Sequence, residues 1–445
     1  MTDASTLRPS ATHRTPVAPH RRRELTAATV GAIVESFDWS IYVVFAVYFA
    51  ADLFGGDSLS SMLAAYGGFT VGFLARPIGG VLLGRLSDSR GRKFSLLVSM
   101  SLVSAASLVF AVLPGSASIG VWAAVLAVAI RVVQGMAYGG EGPTVAAYVA
   151  ETAPPRHRYL FSAISYGGVM FGSLLAFGMV AVLNATIGSD AIYHGGWRWA
   201  FVAGGLLGLL ALWVRSFAPE SEELLEANRA EPQRRPSILS ILNNHRWAVL
   251  TVFLSTFGMT IGYYFALVYL PKYAAALGIT DATTASSLMT PVLAIVLIAM
   301  PFAGLLADRA GLLRVMRIAY AIAAVCLLPI VFAMVHGVLP FEVAAILLGL
   351  LMVTGMSVGH VFCAMLMPVE VRAVGTGIVT ATTIAVFGGT FPMLAEWLIG
   401  IGLSTVIPFY VAGAVLASFA CTFTVMKVDL FTAASTKENS DVGSR

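Results

Sequence analysis

Gly84-Arg85-Leu86-Ser87-Asp88-Ser89-Arg90-Gly91 and Gly304-Leu305-Leu306-Ala307-Asp308-Arg309-Ala310-Gly311 share the pattern G-x-L-x-D-x-x-G and start 220 residues apart in a chain of 445. Each copy closes a long apolar run, and basic residues follow it. One octet recurring at half the chain length marks an internal duplication. Working outward from the two copies, the polar stretch 216–246 separates two sets of six apolar runs. The first set is 26–51, 62–84, 94–114, 119–148, 159–184 and 197–215. The second is 247–271, 284–306, 313–334, 340–366, 373–399 and 405–427. A helix rising 1.5 Å per residue needs about 20 apolar residues to cross the hydrocarbon of a bilayer. The expected fold is therefore all-α and integral to the membrane. It has twelve transmembrane helices in two pseudo-repeat halves, 26–215 and 247–427, with a tail 1–25, a linker 216–246 and a second tail 428–445.

Composition agrees and excludes other classes. The chain is 58% hydrophobic and 11% charged, where soluble domains carry about 25% charged residues. The net charge of +4 comes from basic residues scattered between apolar runs, so nucleic-acid binding is not expected. Cys326, Cys363 and Cys421 all lie in apolar runs, with neither metal-ligand spacing nor a disulfide framework. No G-x-S-x-G, H-E-x-x-H or phosphate loop occurs, and no sizeable domain lies outside the runs, so neither an enzyme nor a cofactor is expected. Residues 1–25 lack the apolar core of a signal peptide, and Pro9, Pro16 and Pro19 argue against an amphipathic transit helix. They read as a cytoplasmic tail leading into an uncleaved first helix. With both termini cytoplasmic, tails and cytoplasmic loops hold 23 of the 27 Lys and Arg, and the opposite side only Arg198 and Lys272. That asymmetry sets the orientation, a multi-pass protein of the cell (inner) membrane. Loops 4–5 and 10–11 echo each other too, in Glu151, Pro154, Arg156 and Pro368, Glu370, Arg372.

Six ionisable residues fall inside the runs: Glu35, Asp38, Arg76, Arg131, Glu141 and Glu396. Such charges face the interior of a helix bundle and pair with one another. Counting along the helices puts Glu35, Arg76 and Glu141 in one layer on the cytoplasmic side of the centre, with Asp38 one turn above Glu35. A carboxylate in a dry cavity takes a proton more readily than one in water, and a neighbouring Arg opposes this. Breaking such a pair on substrate binding couples a proton to a solute; the bland alternative is a structural ion pair. Arg76 and Arg131 each offer a forked donor to a carboxylate. Glu141 either joins the site or braces the packing at Gly139 and Gly140, and Glu396 reads as a solvated rim residue. Tyr263, Tyr264, Tyr269 and Tyr273 read equally as a substrate wall or gate and as packing. His360, near Ser357 and Gly359, reads as a buried hydrogen-bonded residue. Arg198 either attracts an anion at the outer mouth or anchors its helix.

Several of these stretches resemble the major facilitator superfamily, and within it the metabolite–proton symporters of α-ketoglutarate, citrate, shikimate, or proline and betaine. The first helix has Gly31, Glu35, Asp38 and Tyr42 in the family's spacing. The second runs Phe73-Leu74-Ala75-Arg76-Pro77-Ile78-Gly79-Gly80 into Gly84, Asp88, Gly91, Arg92 and Lys93. The fourth carries Arg131, Gln134, Gly135, Gly139, Gly140 and Glu141; Gly196-Trp197-Arg198 and Phe387-Gly388-Gly389 complete the set. The resemblance implies proton coupling through Asp38, Glu35 and Arg131. It implies substrate binding by Arg76, Arg131, Tyr42, Gln134, Glu141, Tyr263 and Tyr264. Gating falls to Gly84, Asp88, Gly91, Arg92, Lys93, Asp308, Arg309 and Arg372. Two departures stand out. Ser36-Phe37-Asp38-Trp39 replaces the usual Trp-Tyr-Asp-Phe, and Gly311 is not followed by Arg-Arg, which weakens the second cytoplasmic clamp. The expectation is a monomeric transporter in membrane lipid, whose partners are protons and a small-molecule substrate. It takes up a small carboxylate-bearing metabolite with protons by alternating access. The alternatives are a proton-coupled exporter and a symporter of a zwitterion such as proline or betaine. Helix five, Gly167-Gly168 to Gly172, lacks the proline of exporter motifs, which favours uptake.

Overall fold

The computed structural model describes residues 19–90, 92–139, 155–216, 243–367 and 372–424. Twelve long helices run through these residues. The first six are α1 Pro19–Phe54, α2 Ser58–Arg90, α3 Arg92–Ala111, α4 Trp122–Tyr138, α5 Arg158–Ile187 and α6 Arg198–Ser216. The next four are α7 Arg246–Ala276, α8 Ala282–Ala310, α9 Leu312–Val335 and α10 Phe341–Met365. α11 runs Arg372–Thr383, Ile384–Gly388 and Gly389–Gly400, and α12 is Val406–Thr424. Ten of them are long and apolar enough to cross a membrane on their own. α6 joins them when taken with Ser189–Gly196, from which it bends by 68°, and α4 is the shorter apolar helix.

The expected spans match these helices to within a few residues, with two differences. α1 starts at Pro19, inside the expected tail, because proline fits the first helical turn, where its missing N–H has no partner to lose. α2 runs on to Arg90, carrying helix beyond the apolar run. Residues 1–18, most of the linker, Gly91, Gly140, Glu141, Glu151, Pro154, Pro368, Glu370 and the second tail lie outside the described residues.

The duplication read in the loops recurs in the packing. α1 lies on α5 and α6, α2 on α4, and α3 on α6. Six helices later α7 lies on α11 and α12, α8 on α10, and α9 on α12. Across the two sets, α5 packs along α8 and α2 along α11, one pairing exchanged by the repeat. The outer surface is rich in exposed large apolar side chains such as Ile78, Trp199, Phe302 and Val325. A soluble fold buries such residues, and a lipid-facing one displays them.

Two helices break their regular winding. α7 takes a π-turn at Tyr264–Tyr269 and α11 another at Ile384–Gly388. A π-turn shifts the register of the side chains beyond it. Tyr263 and Tyr264, just before and at the start of the α7 turn, therefore face α1, α2 and α5, while Tyr269 at its end faces α11. The face of the bundle on which α1 begins is called the near face below, and the opposite one the far face.

Candidate functional site

Two ion pairs leave the same face of α1. Glu35 Oε1 lies 3.0 Å from Arg76 Nη1 of α2, and both side chains remain about one-fifth exposed (18% and 19%). Asp38 Oδ2 lies 3.3 Å from Arg131 Nη1 of α4, and these two are sealed, at 1% and 0% exposure. The first pair therefore faces open space and the second does not. Asp38 is heavily solvated by protein: its Oδ1 accepts from Gln134 Nε2 at 2.9 Å and from the Ser107 hydroxyl. Its main-chain carbonyl also accepts from Arg131 Nη2 at 3.4 Å.

The aromatic residues of α1 explain how two guanidinium groups fit here. Trp39 lies between them, 4.4 Å from the Arg76 carbon and 5.4 Å from that of Arg131. Phe73 covers Arg76 at 4.4 Å, and the Tyr42 ring covers Arg131 at 3.9 Å. A cation over a ring face in a dry site gains about 2 kcal/mol. Trp39, a departure from the family pattern, thus serves both cations. Glu35, Asp38, Trp39 and Tyr42 share one helical stripe, which is why a single helix gathers all four.

The glycines supply the approach. α2 and α4 touch backbone to backbone, and a Cβ on Gly135 would collide with the carbonyl of Gly72, one on Gly139 with that of Arg76. This closeness brings Arg131 and Gln134, one turn apart on α4, within reach of α1.

The second set of helices adds tyrosines. Tyr263 O–H lies 2.9 Å from Ser173 Oγ of α5, which is also 3.1 Å from Ser36 Oγ and 3.0 Å from Ser40 Oγ of α1. Tyr264 stands edge-on to Tyr263, Phe69 and Phe73. Tyr166 of α5 packs against His360 of α10, ring centroids 4.4 Å apart and planes tilted.

The structure thus joins Asp38, Arg131 and Gln134 in one buried cluster and Glu35 with Arg76 beside it. Tyr263 and Tyr264 sit against them from α7. Tyr42 is fully buried, and its hydroxyl donates to the Ala65 carbonyl at 2.9 Å, so it meets Arg131 with its ring face. Glu141 lies outside the described residues. Sequence reasoning passed over Ser107, Ser36, Ser40, Ser173 and Tyr166. The i, i+4 spacing of Ser36 and Ser40 beside Asp38 was the one available signal.

The gating candidates divide. Asp308 of α8 reaches across to the first half: its carboxylate accepts the main-chain N–H of Tyr159 at 3.0 Å and of Leu160 at 3.1 Å. These are orphan donors at the start of α5, where the helix dipole also favours an anion. The near-face contact missing from the Gly311 loop is therefore made through backbone. Gly311 has φ +88°, a value suited to glycine, and turns the chain from α8 into α9. Arg309 is exposed beside Asp308. Arg372 Nε, at the start of α11, donates to the Met367 carbonyl at 3.4 Å. Lys93 is half-buried near the start of α3. Gly84 and Asp88 lie in α2 and Arg92 opens α3, their side chains undescribed; Gly91 is outside the described residues.

Glu396 corrects its reading as a solvated rim residue. It is 5% exposed, accepts from Tyr269 O–H at 2.8 Å and lies 3.6 Å from Lys272 Nζ. Position along the helix suggested the rim. The π-turn of α7 swings Tyr269 over it, and α2 covers this end of α11, where Leu59 meets Gly400. Arg198 anchors: it donates to Asp52 Oδ2 and to the Leu113 carbonyl, both at 3.1 Å, tying the start of α6 to the end of α1.

Two pseudo-symmetric six-helix sets with ion pairs inside the membrane-crossing core are the build of a secondary transporter. The sequence profile described as Major Facilitator Superfamily matches residues 28–339, and the chain belongs to that superfamily. It is a multi-pass membrane transporter, not an enzyme. The Alpha-ketoglutarate permease of Escherichia coli (strain K12) is 32% identical over 404 residues, covering 90% of this chain and 93% of the relative. The Ectoine/proline transporter ProP of Corynebacterium glutamicum is 30% identical over 399 residues, covering 85% and 78%. Among solved structures, the MFS proton:xylose symporter XylE bound to 6-bromo-6-deoxy-D-glucose superposes with a TM-score of 0.70 at 19% identity, covering 91% of this chain and 95% of that one. At that identity the likeness is one of fold.

Proposed function

We propose that this transporter takes up a small carboxylate-bearing metabolite, such as a di- or tricarboxylate or a shikimate-like acid, together with protons. It works by alternating access in the inner membrane, with its near face cytoplasmic. The observation that carries the reading is the division of labour between the two ion pairs. Arg76 is interior yet partly open, its Nε has no hydrogen-bond partner, and its planar fork matches a carboxylate. A substrate carboxylate there competes with Glu35. Asp38 and Arg131 are closed off from solvent, with both Asp38 carboxylate oxygens hydrogen-bonded, as a proton site must be if it is to stay shut to leaking water. Protonating Asp38 at Oδ2 turns an acceptor into a donor facing Arg131 Nη1, so Arg131 must move. Proton occupancy and helix arrangement are thereby linked. Similarity to an α-ketoglutarate permease supports the substrate class.

Uptake of labelled organic acids into proteoliposomes, with and without an imposed proton gradient, tests this. Accumulation only with an inward proton gradient is expected, and accumulation independent of protons would overturn it. Glu35 beside Arg76 presents both signs of charge, which favours a second reading, a zwitterion such as proline or betaine. Competition of these against the labelled acid separates the two.

A further inference from the structure

Arg76 accounts for one end of a substrate, and the first half supplies it. The second half contributes an apolar wall in which a few polar atoms have no hydrogen-bond partner. Two of these are His360 Nδ1 and Ser357 Oγ of α10, and a third such atom, Ser162 Oγ, lies on α5 of the first half, which packs against α10. Ser357 is one turn from His360 on α10, and Ser162 one turn from Tyr166 on α5. Ser357 and Ser162 are 0% and 3% exposed. Buried polar atoms are satisfied in the great majority of cases, by protein, water or ligand, so these three are available to bond an occupant.

Their depth fits the site. Arg76 is seven residues from the near-face end of its span at Leu83, Glu35 five from Val30, Tyr166 eight from Arg158 and His360 five from Met365. At 1.5 Å per residue all four lie about 7 to 12 Å from that end, in one layer. Tyr264 joins the two halves here: it stands edge-on to Phe73, which covers Arg76, and to Tyr263. Side-chain contacts thus lead from Arg76 to Tyr263 of the second half, and from Tyr166 of the first half to His360 of the second. Tyr166 packs on the imidazole with the two ring planes tilted by 31°.

We infer that His360, held by Tyr166, is the specificity-determining residue of the second half, and that it hydrogen-bonds an acceptor at the end of the substrate remote from the carboxylate on Arg76. The inference rests on the carboxylate reading above. A ligand spanning both groups draws the halves together, and an acid lacking the second acceptor leaves His360 and Ser357 unsatisfied.

The test uses purified full-length protein in detergent and chain-matched acids: succinate against butyrate, and α-ketoglutarate against 2-oxopentanoate, with binding measured by titration calorimetry. Wild type is expected to favour the two-ended acid of a pair by about tenfold, the worth of one buried hydrogen bond. His360→Ala brings the ratio close to one by weakening the two-ended acid alone, and His360→Asn restores part of it. Unchanged binding of the one-ended acid shows that the variant is folded. An unchanged ratio in His360→Ala, or equal weakening of both acids, overturns the inference. Equal binding of both acids by wild type overturns it as well and leaves the carboxylate reading standing. Wild type that binds neither acid but binds proline or betaine removes both.

Discussion

Replacing Asp38 by Asn removes the one charge that balances Arg131 in a site closed to solvent. Arg131 is 0% and Asp38 1% exposed, so no screening discount applies. Removing one member of a buried pair costs about 3–5 kcal/mol. The lower end holds here, because Asn keeps an acceptor for Ser107 and Gln134 and the Asp38 carbonyl still receives Arg131. About 3 kcal/mol is a shift of roughly 150-fold, enough to hold Arg131 in the displaced position that protonation of Asp38 would otherwise bring about. The variant is locked in its proton-loaded arrangement. The assay is counterflow beside gradient-driven uptake in the same vesicles. Asp38→Asn is expected to retain exchange within several-fold of wild type, which also shows that it has folded. Accumulation under an inward proton gradient is expected to fall to simple equilibration. Continued proton-driven accumulation by Asp38→Asn would refute the assignment and point to Glu35, for which Glu35→Gln is the parallel variant.

Arg76→Lys and Arg131→Lys are each expected to lose most uptake while still inserting, since Lys keeps the charge but not the forked geometry or its stacking on Trp39; wild-type uptake in both would end the anion-clamp reading. Asp308→Ala is expected to open the near face about 5- to 30-fold more often, two charge-assisted bonds in a half-exposed site being worth about 1–2 kcal/mol together. Labelling of a cysteine placed in the seam beside Tyr159 reads this, and an unchanged labelling rate refutes the latch. Glu396→Ala is expected to cost about 2 kcal/mol of stability, because the buried Tyr269 hydroxyl loses its acceptor, and Glu396→Gln less than half of that. Equal drops in unfolding midpoint would show that the hydrogen bond is not what matters.

The fold was legible because lipid imposes a length on every crossing helix and the octet at Gly84 recurs at Gly304. Glu35, Asp38, Arg76 and Arg131 were legible because a charge in an apolar run needs a partner, and four of them on three helices leave few pairings. Other contacts were not. Rotation and tilt decide what a helix faces, and a segment apolar on every side does not encode them. Glu396 was misplaced because the π-turn that brings Tyr269 over it leaves no mark in composition. Tyr42 was expected to bind substrate; that its ring carries Arg131 was not legible. Asp308 was expected to gate, but its bonds to the main chain of Tyr159 and Leu160 were not legible, since no side chain of either takes part.

That last contact has a consequence for how the protein can change over generations. A salt bridge constrains two positions, and a damaging substitution at one can be repaired by a matching one at the other. Asp308 binds amides that nearly every residue type provides. This contact therefore places no demand on the side chains at 159 and 160, proline excepted, and no codon change there rescues a lost Asp308. Suppressors of an Asp308 variant selected for restored growth on the transported solute should map elsewhere, to helix faces that favour near-face closure by other means. Suppressors of Arg76 or Glu35 variants have each other's codon as an available target.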